Sequence, residues 1–121
     1  MKHSLEVYLD NRIIFFSDGK WLHPLLDLHE FLEAQHYDPQ RLVVNDKIVG
    51  KAAALIQVHL GIKHIHASML SQLARDVFED HNIHYEFDQL VDRIQCRTED
   101  LLLNETNPET AFRLILKLAG R

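Results

Sequence analysis

Residues 44–56 read VNDKIVGKAAALI, and they put a carboxylate, two lysines and a glycine where an apolar strand gives way to a small-residue helix. Backbone N–H groups at a helix N-terminus attract anions, and a glycine there lets a ligand approach closely. The ammonium groups of Lys47 and Lys51 would add charge to that attraction. Lysines near a helix start oppose the helix dipole, and a bound anion would offset the cost. Asp46, Lys47, Gly50 and Lys51 are therefore expected to hold a small anionic molecule, such as a phosphate or carboxylate on a nucleotide-like metabolite. The plainer alternative is a solvated turn in which Asp46 bonds the backbone and the lysines stay in water.

A second constellation lies in DRIQCRTED, residues 92–100. Cys96 stands between Arg93 and Arg97 and just before an expected helix, and both features favour the thiolate. Glu99, three residues on, can share its side of the helix. This pattern suits a nucleophile or a redox thiol, although a lone cysteine often serves simply as a small hydrophobe. His64 and His66 share one strand face, and His84 opens the next strand. Such pairs are usually polar surface, so no metal site and no cofactor are assigned.

The surrounding pattern indicates the elements that carry these residues. LEVYL and RIIFFS are β-rich, separated by the Asp10-Asn11 hairpin turn. Pro24 fits the first turn of a helix with Leu25, Leu28, Phe31 and Leu32 on its apolar stripe. RLVV is a short apolar strand, followed by a helix from about Gly50 to His59 that Gly61 stops. KHIHA is a strand, Met69–His81 an amphipathic helix, and IHYEF the last strand. A final helix has Asn107 as cap, Pro108 at its first position and Gly120 at its end. A hairpin followed by alternating helices and strands predicts an α/β fold. The expected form is a three-layer α/β/α sandwich on a mixed sheet of about five strands, with helices on both faces. Ligands in such sheets sit beyond the carboxyl ends of the strands, where VNDKIVGK falls.

The bulk composition narrows the function classes. The chain has 121 residues, enough for one domain with one core. A formal net charge of −5 argues against non-specific binding to nucleic acid or anionic membranes. One cysteine permits no internal disulfide, and MKHSLEVYLD lacks a signal-peptide run, so a cytoplasmic location is expected.

The string VNDKIVGKAAALIQVHLGIKHIHA, with WLHPLLDL before it and CRTE after it, resembles an uncharacterised prokaryotic family. That family is domain of unknown function eighteen ninety-three, of the cytidine-deaminase-like superfamily, and the resemblance runs from about Leu5 to Leu116. It implies a cytidine-deaminase-like fold and a Cys-x-x-Glu at Cys96 and Glu99. Zinc deaminases of the superfamily carry His-Ala-Glu on one helix and Pro-Cys-x-x-Cys at the next strand-to-helix junction. Here Asp46, Lys47 and Gly50 occupy the second motif, and His23-Pro24-Leu25 the first. Without thiolates, zinc-dependent deamination is not expected. His23 is placed by the comparison at the rim of the same pocket as Lys47. The analogy also suggests a homodimer.

Two functions follow: a binding module for a small anionic ligand, or a metal-independent enzyme with Cys96 as nucleophile and Lys47 or His23 as proton-transfer partner.

Overall fold

In the computed structural model, which describes residues 1–94 and 97–121, five strands form one sheet in the order β2-β1-β3-β4-β5. The strands are β1 (Leu5–Leu9), β2 (Arg12–Ser17), β3 (Val43–Val49), β4 (His64–Ser71) and β5 (His84–Val91). The helices are α1 (His23–Gln35), α2 (Lys51–His59), α3 (Gln72–Asp80), α4 (Arg97–Leu101) and α5 (Pro108–Leu118).

The expected N-terminal hairpin forms: β1 is antiparallel to both β2 and β3, and β3, β4 and β5 run parallel. Asp10 and Asn11 both take left-handed backbone (φ 50° and 66°), as a two-residue hairpin turn requires. Asn107 caps α5 by accepting from the Thr110 N–H, with Pro108 in the first turn as expected.

Three strands run longer than the sequence suggests. β3 does not stop at Val44 but continues through Asp46 and Lys47 to Val49. Pairing holds it extended on both sides, Asp46 lying opposite Leu5 of β1 and Ala67 of β4. The expected turn is therefore the second half of a strand. β4 likewise runs on to Ser71 because Met69 and Leu70 pair with Ile48 and Val49 on one side and with Gln89 and Leu90 on the other. Helix α3 consequently begins at Gln72 rather than Met69, and Ser71 caps it by accepting from the Ala74 N–H. The same pairing carries β5 past Phe87 to Val91.

The layer order also differs from the expected α/β/α sandwich. The β2-to-β3, β3-to-β4 and β4-to-β5 connections all advance the same way across the sheet. Right-handed crossovers then place α1, α2 and α3 on one face. The amphipathic α5 buries Ala111, Phe112 and Ile115 against the outside of α2, so it forms a further layer on the same side. Its Phe112 ring stacks on His59 of α2 at 4.4 Å and lies 4.7 Å from His29 of α1. Helix α2 is thus enclosed between sheet and α5, which explains why every residue from Lys51 to Gln57 is buried. The opposite sheet face carries exposed Ile13, Phe16, Val43, His64 and His84.

The core lies between the sheet and the helices, with Leu5, Leu26, Leu28, Leu55, Ile56, Leu70 and Phe78 fully buried. Burying each such side chain stabilises the fold by roughly 1.5–3 kcal/mol. This core fixes the carboxyl end of β3 against the first turns of α1 and α2. No helix among the described residues is long and apolar enough to cross a membrane.

Candidate functional site

A cleft of about 360 Å³ opens at the carboxyl end of β3. Its walls come from Gly19, Lys20, Trp21 and Leu22 of the turn before α1 and Pro24 and Leu25 of its start, from Asp46, Lys47 and Ile48 of β3, from Gly50, Ala52 and Ala53, and from Ile94, Thr98 and Glu99. The volume lies in the range of small-ligand pockets, and the lining is mostly apolar with few polar groups. A second depression of about 600 Å³ lies beside His29, His36 and His59, but it is a polar, open surface feature.

Glu99 organises the site. Helix α2 has no capping side chain of its own, and its N-cap is Gly50. The Glu99 carboxylate takes that place from a distant part of the chain. Its Oε2 accepts from the Lys51 backbone N–H at 2.7 Å and from the Ser71 hydroxyl at 3.2 Å. Its Oε1 accepts from the Ile94 N–H at 3.1 Å. One buried carboxylate therefore joins the start of α2, the cap of α3 and the segment leaving β5, and it meets the positive end of the α2 dipole. Gly50 has ordinary extended backbone (φ −95°), so its flexibility is not what is needed. A Cβ there would come within 2.5 Å of Glu99 Oε2, so the absence of a side chain is.

Asp46 stands at the cleft floor and is 8 % exposed. Its Oδ2 accepts from Gln57 Nε2 at 3.0 Å, and the Ile48 backbone N–H also bonds it. Burial outweighs both bonds and raises its pKa to about 7. Gln57 is fully buried, and its Oε1 has no partner among the described residues.

The remaining expected site residues divide. Lys47 lines the cleft mouth and is exposed, its backbone N–H donating to the Ser4 carbonyl. Lys51 does not line the cleft. Its ammonium turns away and donates to the Leu103 carbonyl at 2.7 Å, and burial lowers its pKa. The proposed pair of cations is thus split, and the helix N-terminus is already served by Glu99 rather than left open for an outside anion. His23 is also outside the lining residues: its Nδ1 accepts from Arg121 Nη2 at 3.1 Å, and its ring meets Trp21 at 5.1 Å. Cys96 lies outside the described residues. Glu99 is at the site, held as a cap.

His64 and His84 pack ring to ring at 5.6 Å on the exposed sheet face, and His66 pairs with Asp88 at 2.9 Å. Among the described residues, no group of three or more His, Cys, Asp or Glu side chains is arranged to hold a metal ion.

Sequence reading missed Lys20, Trp21 and Thr98. The signal available was the chain's single tryptophan placed two residues after the Asp18-Gly19 turn, an exposed location for so large an apolar residue. Trp21 lines the cleft and donates its indole N–H to Thr98 Oγ1 at 2.9 Å.

Fold and site together describe a mixed α/β domain, with five strands and five helices among the described residues and a small cleft at the carboxyl end of a central strand. The chain belongs to the family described as Domain of unknown function (DUF1893), whose model matches residues 2–117. It is similar to the crystal structure of a DUF1893 family protein (TM1506) from Thermotoga maritima, with a TM-score of 0.84 and 29% sequence identity. That similarity covers 94% of this chain and 79% of the other. No curated protein matches.

Proposed function

We propose that this chain is a small-molecule-binding domain whose cleft takes a nucleotide-like anionic ligand, on a cytidine-deaminase-like scaffold without the deaminase zinc ligands. The observation carrying this reading is the cleft itself, where the carboxyl end of β3, Trp21 and two exposed lysines, Lys20 and Lys47, meet around one volume. The anion belongs at the rim beside the lysines, since the α2 N-terminus is taken by Glu99. The floor suits a neutral, hydrogen-bonding body. Glu99 is compensated by three donors, and burial raises the Asp46 pKa well above the ordinary carboxylate value, which favours its neutral form.

The test is native mass spectrometry of protein purified without added ligand, followed by calorimetric titration with AMP. Retained mass, or AMP binding that Lys20→Ala and Lys47→Ala both weaken, supports the reading. AMP binding that neither substitution alters would remove the cleft rim as the anion site.

A further inference from the structure

We infer that Trp21 is the aromatic platform of the cleft, stacking a planar heteroaromatic ring of the ligand, and that Thr98 positions it. The inference rests on the small-anion reading of the cleft and adds which residue selects the ligand's body.

Trp21 has a left-handed backbone, φ 57°. A bulky side chain there is a conformational outlier, and a turn would accept glycine or asparagine at less cost. Strain of this kind concentrates at functional sites. Despite that strain, the indole is not used to fill the core: 41% of the residue's surface stays exposed, and it lines the cleft. Its one polar atom is satisfied by Thr98, itself buried at 5% exposure. Thr98 precedes Glu99, which is tied to the starts of α2 and α3, so the ring plane is fixed to the rigid part of the site before any ligand arrives. Such pre-organisation lowers the cost of binding. Indole faces stack on planar rings of many kinds. Lys20 is adjacent in sequence, so a ring on Trp21 puts a linked phosphate within reach of a rim cation.

Trp21 is the only tryptophan, so selectively excited tryptophan fluorescence reports on this cleft alone. The probes are AMP and ribose 5-phosphate, which share sugar and phosphate and differ in the ring. AMP should quench Trp21 and bind about tenfold or more tightly than ribose 5-phosphate. Trp21→Ala should bring AMP down to the ribose 5-phosphate level in calorimetry while leaving ribose 5-phosphate unchanged, and Trp21→Phe should keep most of the preference. Thr98→Val should weaken AMP, spare ribose 5-phosphate and lower the fluorescence anisotropy of Trp21. If Trp21→Ala does not fold, Trp21→Phe, Thr98→Val and the wild-type comparison carry the test. Equal binding of the two probes, or an AMP preference that survives Trp21→Ala, overturns the platform and leaves the anion site standing. Binding of neither at millimolar concentration overturns the platform together with the reading beneath it.

Discussion

Replacing Asp46 by asparagine should change how stability depends on pH. The carboxyl is buried among Gln57, Ile48 and the cleft floor, and burial raises its pKa from 3.8 to about 7. The unfolded chain therefore releases this proton near pH 4, whereas the folded chain holds it until about pH 7. Stability from this group is fully present below pH 4 and is lost progressively as pH rises through 7. Each unit of difference corresponds to about 1.4 kcal/mol. Between pH 5 and pH 8 the loss spans about two units, roughly 2–3 kcal/mol. Asp46→Asn removes the titrating group and nearly preserves its shape. Urea unfolding at pH 5, 6, 7 and 8 should show wild-type stability falling relative to Asp46→Asn by that amount. The difference between the two slopes isolates this residue from the nine histidines, which both proteins share. Parallel slopes would refute the argument, because they would mean that Asp46 titrates alike in the folded and unfolded chain.

Gly50→Ala should lower stability by about 1–3 kcal/mol, read by thermal or urea unfolding, because the new methyl meets Glu99 Oε2 at 2.5 Å. Paired with Glu99→Ala it should be less than additive, since that substitution removes the clashing carboxylate. Glu99→Ala alone should cost about 2 kcal/mol or more, leaving the Lys51 and Ile94 N–H groups and the Ser71 hydroxyl without their acceptor. The two lysines should separate in paired melting and AMP-titration experiments. Lys51→Ala should reduce stability by about 1–3 kcal/mol with AMP affinity unchanged, and Lys47→Ala should weaken AMP about two- to fivefold with stability unchanged.

How much of this was legible in the sequence depended on whether the cause was local. The hairpin turn at Asp10-Asn11, the Asn107 cap and the crossover pattern follow from short-range chemistry, and each is present. The extension of β3 through Asp46 and Lys47 is not local. Two polar residues in succession read as a turn, yet pairing to Leu5 and Ala67 on either side holds them extended. The layer order was open to deduction, because three crossovers advancing in one direction must share a face, but strand order is needed first. At the site, Gly50 was noticed for close approach, and the approaching group proved to be a carboxylate 49 residues away (99 − 50). Lys51 read as a ligand cation because its neighbours suggested a helix start. Its true partner, the Leu103 carbonyl, follows only from the packing of the later chain. Trp21 went unread because its bond to Thr98, which marks its place in the cleft, spans 77 residues.

The central claim is that the cleft at the end of β3 is where a small anionic molecule binds. A two-dimensional ¹H–¹⁵N titration of the protein with AMP tests it directly, since it reports location as well as affinity. Shifts are expected to concentrate at the Trp21 indole N–H and at the backbone amides of Lys20, Lys47, Ile48 and Gly50. Shifts confined to the surface around His29, His36 and His59, or none at millimolar AMP, would contradict it.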